Sequence, residues 1–130
     1  MAEKQVVEKL RLKPGMRAAV LNAPPSYTEM LRGQLPPEVR LSAALDGSSF
    51  DFIHAFATQR DELLRDGPAW RQALKPNGVL WVSYPKGGSQ AIQTDLNRDI
   101  VRTTVQQVGL DTVSQVAIDD TWSALRLKPT

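Results

Sequence analysis

The run Val79-Leu80-Trp81-Val82-Ser83-Tyr84 shows no alternation of apolar and polar positions. A strand with one wet face alternates with a period of two, so a continuous apolar run reads as a strand covered on both sides. The usual cover on both sides is a layer of helical crossovers, which makes the sheet parallel. The remaining segments fit that demand. Residues 3–12 place Val6, Val7 and Leu10 on one helical face, and Lys13-Pro14-Gly15 ends the segment. Residues 17–22 (RAAVLN) predict a first strand. Ser26 and Glu29 stand at capping-box spacing and predict a helix from there to about Arg32.

Pro36-Pro37 mark a connection, residues 39–45 (VRLSAAL) predict a second strand closed by Asp46-Gly47, and residues 50–56 (FDFIHAF) predict a third. Thr58 to Asp61 repeats the helix-start spacing, and Leu63, Leu64, Trp70 and Leu74 form an apolar stripe. Gly67-Pro68 interrupts it and predicts two short helices or one kinked helix. LKPNG (74–78) is a turn signal before the fourth strand at 79–84. Thr94 or Asp95 caps a helix bearing Leu96, Ile100, Val101, Val105 and Val108, with Gly109 at the left-handed position beyond its end. TVSQVAI and WSALRL, joined by Asp119-Asp120-Thr121, form an antiparallel hairpin. The expectation is one domain, 1–130, of α/β class. It is Rossmann-like, with a doubly wound, mostly parallel sheet of about six strands and an antiparallel C-terminal strand.

Composition narrows the function. Sixteen basic and fourteen acidic residues leave a net charge of +2 with no basic run, so nucleic acid is not an expected partner. The chain has no cysteine and one histidine, which disfavours thiolate chemistry and a transition-metal site. No metal is expected. The N-terminal residues lead into no apolar stretch of signal type and no long apolar run follows, so neither export nor a membrane is expected, and the assigned compartment is the cytoplasm.

With its elements in this order the chain resembles a shortened class I S-adenosylmethionine-dependent methyltransferase. LKPGMRAAVLN (12–22) resembles that family's lead-in to its cofactor loop, FDFIHAF its fourth strand, LKPNGVLWVSYP (74–85) its turn and fifth strand, and the hairpin its last two strands. Between Leu45 and Phe50 there is no room for the family's third strand and following helix. The resemblance then implies a strand order of 2-1-3-4-6-5. VSYPKG (82–87), TDLNRD (94–99) and VAIDDTWSALR (116–126) also resemble segments of a family of short bacterial proteins defined as a domain of unknown function, which implies no activity.

The chain departs from the methyltransferase pattern at Asn22-Ala23-Pro24-Pro25, which stands where the family has its glycine-rich loop. Prolines have no N–H and a fixed φ, so they offer a cofactor few backbone donors. A Glu29 carboxylate capping the helix start would further oppose an anionic group. No cofactor is therefore expected. Asp46 is the one candidate for the family's ribose-binding acid, and its Asp-Gly context favours a plain turn over that role.

In an open parallel sheet the ligand crevice lies at the carboxyl ends of the strands. Asn22, Lys86 with Gly87-Gly88-Ser89, Asp95, Asn97, Asp119, Asp120 and Trp122 are expected to gather there as candidate ligand contacts. Each also has a structural reading as a loop charge, cap, turn or core residue. Arg98 and Asp99 read as scaffolding beside them. His54 is expected to be a buried or half-buried neutral histidine with a backbone partner, and no G-x-S-x-G elbow supports a Ser-His hydrolase. No catalytic residue is assigned. Three readings stand: a module binding a small polar or anionic ligand or a partner protein, a methyltransferase holding S-adenosylmethionine in a changed pose, and a purely structural interaction protein.

Overall fold

The computed structural model describes residues 6–86 and 92–130. Ten elements follow in order: α1 (Val6–Lys9), β1 (Arg17–Leu21), α2 (Pro25–Arg32), β2 (Arg40–Ser42), β3 (Phe50–Phe56), α3 (Arg60–Ala73), β4 (Leu74–Pro85), α4 (Arg98–Gln106), β5 (Leu110–Ala117) and β6 (Trp122–Pro129). The six strands form one sheet in the order β2-β1-β3-β4-β6-β5. β2, β1, β3 and β4 run parallel, and β6 lies antiparallel between β4 and β5. This is the expected α/β topology. No helix of the described residues is long and apolar enough to cross a membrane.

Alternation along the strands sorts the core into two layers. Ala19 and Leu21, Ile53 and Ala55, Leu80 and Val82, and Leu125 and Leu127 face α3 and α4, against Leu63, Trp70, Val101 and Val105. Ala18 and Val20, Phe52 and Phe56, and Trp81 and Ala124 face the other way, against Val7, Leu10, Tyr27 and Leu31 of the α1 and α2 side. The Trp81 indole N–H donates to the carbonyl of Leu10 at 2.8 Å, tying the leading segment to the centre of the sheet. Both layers are needed because β3 and the second half of β4 are buried on both faces.

Several boundaries differ from the sequence reading. α2 begins at Pro25 with Pro24 as its N-cap, and no side chain caps it. Proline suits the first helical position, since its fixed φ is already helical and its missing N–H is not needed there. The expected capping box of Ser26 and Glu29 is absent, and Glu29 is exposed. β2 is three residues long rather than seven.

α3 starts one residue later than Thr58 spacing implied. Gln59 and Glu62 make its capping box, and the Thr58 N–H and hydroxyl also donate to Glu62. The helix runs unbroken through Pro68. Gly67 explains part of this, because the residue before a proline takes helical φ/ψ more easily without a Cβ; a β-carbon there would also lie 2.8 Å from Val108 Cγ2, so α3 passes close beside the chain that leaves α4. LKPNG is an outward excursion at the start of β4. The strand advances from Leu74 to Val79 while β3 advances from Phe50 to Phe52. That irregularity turns Phe50 to the α3/α4 layer, away from Phe52 and Phe56. Gly109 has φ +82, the left-handed conformation expected beyond α4.

Candidate functional site

At the carboxyl edge β1 ends at Leu21, and Asn22 takes φ 59, a left-handed conformation that asparagine tolerates better than most residues. The chain enters α2 only two residues later. Pro24 and Pro25 carry no N–H, and the Tyr27 and Thr28 amides both donate to the carbonyl of Pro24, at 3.0 and 3.2 Å. Ser26 is left as the one residue of 25–28 whose amide has no protein partner among the described residues. A helix start usually offers several free donors.

The other candidates divide by place. The Lys86 amide donates to the carbonyl of Thr121 at 2.8 Å, which extends the β4–β6 ladder past the Pro85–Trp122 pair. Asp119 Oδ1 accepts from the amides of Thr121 and Trp122, both at 2.8 Å, and so holds the hairpin turn. Asp120 is exposed beside it. Lys86, Asp119, Asp120 and Trp122 thus come together. Asn22 is two strands away, level with Phe56 and Ser83 in the register and about 10 Å short of Lys86 along the strand direction.

Trp122 is 7% exposed and packs edge-on against Phe56, with ring centres 5.0 Å apart, so its ring is spent on the core. Asp95 does not cap α4. Its carboxylate accepts the amide of Arg60 at 2.7 Å and caps α3 instead, while Thr94 Oγ1 accepts from Leu96 and Asn97 Oδ1 accepts from Ile100 at 2.9 Å to cap α4. Gly87, Gly88 and Ser89 lie outside the described residues.

Asp46 is far from this edge. It pairs with Arg17, the first residue of β1, and bonds the Ser48 hydroxyl and amide. Those Ser48 bonds, with Arg17 beside them, hold its carboxyl below the usual range. Its pairing with Arg17 places it at the amino end of β1.

Two features escaped the sequence. His54 bonds side chains rather than backbone: its Nδ1 meets the Tyr27 hydroxyl at 2.9 Å and its Nε2 the Ser83 hydroxyl at 2.6 Å. All three are buried, and burial pushes the His54 pKa down to about 3, so it stays neutral. A second feature is a recess of about 130 Å³ between α2 and the β2 edge, lined by Val20, Thr28, Arg32 and Ser42 among others. The signal for it was faint, a basic residue one turn after Thr28 on a helix that follows the first strand.

No protein-family model matches the chain, and no curated protein matches its sequence. Solved structures do match its fold. DhpI, solved as a complex with SAH, superposes with a TM-score of 0.67 at 11% identity over 95% of this chain and 81% of that one. An S-adenosylmethionine-dependent methyltransferase from Clostridium acetobutylicum gives 0.60 at 11% identity over 95% and 87%. A Bordetella parapertussis chain described as a possible exported protein gives 0.63 at 14% over 95% and 65%. The fold is that of class I S-adenosylmethionine-dependent methyltransferases in shortened form.

Proposed function

We propose that this domain is a binding module built on a methyltransferase fold, which takes a small polar or anionic ligand at the carboxyl edge of its sheet and does not hold S-adenosylmethionine. The observation that carries this is the start of α2. The residues Pro24 and Pro25 have no N–H, the Tyr27 amide, which a helix start usually leaves free, is turned back to Pro24, and the side chain of Asp46 is engaged at the opposite edge. The donor set that a nucleoside cofactor with an α-amino acid tail requires is not assembled there. What the edge does offer is Lys86 and the Asp119-Asp120 turn at one end, and Asn22 with the recess bearing Thr28, Arg32 and Ser42 at the other.

A methyltransferase with a changed cofactor pose is the second reading. The left-handed φ of Asn22 favours it, since that residue keeps the turn a glycine would otherwise make. Isothermal titration with S-adenosylmethionine separates the two. The expected result is no binding tighter than about 10 μM, and an affinity beyond that, on the order of 7 kcal/mol, would overturn the proposal. A thermal-shift screen of small polar and anionic metabolites should find a stabilising ligand whose effect is lost on Lys86→Ala or Arg32→Ala.

A further inference from the structure

On the far flank of the sheet, α4 and β5 line an open groove of about 190 Å³. Arg98 and Arg102, four residues apart on α4, line it from one side, and Ser114 and Gln115 of β5 from the other. Residues at this spacing share a helix face, so both guanidinium groups can reach one ligand. Arg102 Nε stands 3.6 Å from Asp111 Oδ1, longer than a charge-assisted hydrogen bond, and the Arg102 side chain is largely exposed while that of Asp111 is half-buried. Arg98 makes no ion pair among the described residues.

The edge strand itself argues for a small ligand. The β5–β6 register shifts between Thr112 and Ser114, leaving Val113 as a bulge residue without a partner and 46% exposed. A bulge on an edge strand blocks continued pairing with an added strand. The groove therefore suits a compact molecule lying across it. Asp99, in the first turn of α4, is the charged acceptor of the lining and would repel an anion that offered it no donor.

We propose that this groove binds a small oxyanion, a phosphate or a carboxylate, borne by a molecule that also carries a hydroxyl or amine. The arginines take the oxyanion in the planar, forked geometry guanidinium groups favour, and Asp99 accepts the neighbouring donor. Nuclear magnetic resonance titration of the labelled protein at fixed low ionic strength tests this with three probes: glycerol 3-phosphate, inorganic phosphate and acetate. The expected result is saturable shifts at residues 98–102 and 112–115, with glycerol 3-phosphate binding more tightly than inorganic phosphate. Saturation by acetate alone would make the anion a carboxylate and still support the site.

The double variant Arg98→Gln/Arg102→Gln should weaken binding at least tenfold, and Asp99→Asn should abolish the preference for glycerol 3-phosphate. Ser114→Asp, which keeps both arginines, should weaken binding as well and covers the case of a double variant that fails to fold. Lys86→Ala should change nothing here, so failure of the carboxyl-edge reading and failure of this one are distinguishable. Shifts that never saturate with any probe, that survive the double variant, or that centre on Asn22 and Lys86 would overturn the proposal.

Discussion

Tyr27, His54 and Ser83 form a hydrogen-bonded chain inside an otherwise aromatic and aliphatic layer, with the imidazole stacked on Phe56 at 4.5 Å between ring centres. Both ring nitrogens are satisfied, so removing one partner leaves a buried polar atom unpaired. Tyr27→Phe should therefore cost about 1–3 kcal/mol in urea unfolding despite the near-identical ring. Histidine also sets a pH dependence. Its folded pKa of about 3 lies below the ordinary 6.5, so the unfolded chain takes up a proton first. The stability contribution is complete above pH 6.5 and is lost as pH falls toward 3, by about 1.4 kcal/mol per pH unit. Unfolding midpoints between pH 6.5 and 4.5 should fall accordingly, and His54→Gln should flatten that slope whatever its own cost. Below that window Asp46, Asp51 and Asp111, whose carboxyls are held low by hydrogen bonds, add their own loss.

Among the elements, α3 holds two opposing local choices. Pro68 removes one intrahelical hydrogen bond from the second half of the helix, at an exposed position. Pro68→Ala should raise stability by about 1–3 kcal/mol, read as a higher thermal midpoint. Gly67→Ala should do the reverse despite the better helix propensity of alanine, because its new methyl meets Val108 at 2.8 Å. The central strand was legible because β4 announces double burial through an unbroken apolar run. Helix starts were not, because the residue types that favour a start do not fix its position: the N-cap is Pro24 rather than Ser26, Gln59 rather than Thr58, and Asp95 serves a helix 35 residues earlier in the chain. That last pairing depends on how the sheet brings β3 and β4 side by side, which no local window contains. The partners of His54 were hidden in the same way, being 27 and 29 residues away. At the carboxyl edge the grouping of Lys86 with the hairpin turn followed from strand direction, whereas the burial of Trp122 against Phe56 depends on packing.

For the molecule as a whole, the strand order came from resemblance to a larger family, since nothing local in β6 says that it inserts between β4 and β5. The arrangement leaves β2 and β5 as edges. Three residues make β2 too short to recruit another strand readily, and the bulge at Val113 interrupts β5, so the protein should remain free of edge-to-edge association. Val113→Ile, which enlarges the exposed residue but keeps the bulge, should leave the sedimentation coefficient unchanged. Deleting Val113 should straighten the edge, and sedimentation should then show concentration-dependent association.

The insertion of β6 has a temporal consequence. β5 pairs with the sheet only through β6, and β6 follows it in the chain, so β5 has no partner strand until the residues after Asp120 have been made. While the ribosome is still adding them, β1, β3 and β4 can pair but the sheet ends at an open β4, a long apolar edge awaiting its neighbour. The domain should thus be most exposed to chaperones and proteases until β6 is in place, and become resistant in one step as Trp122 to Leu127 dock.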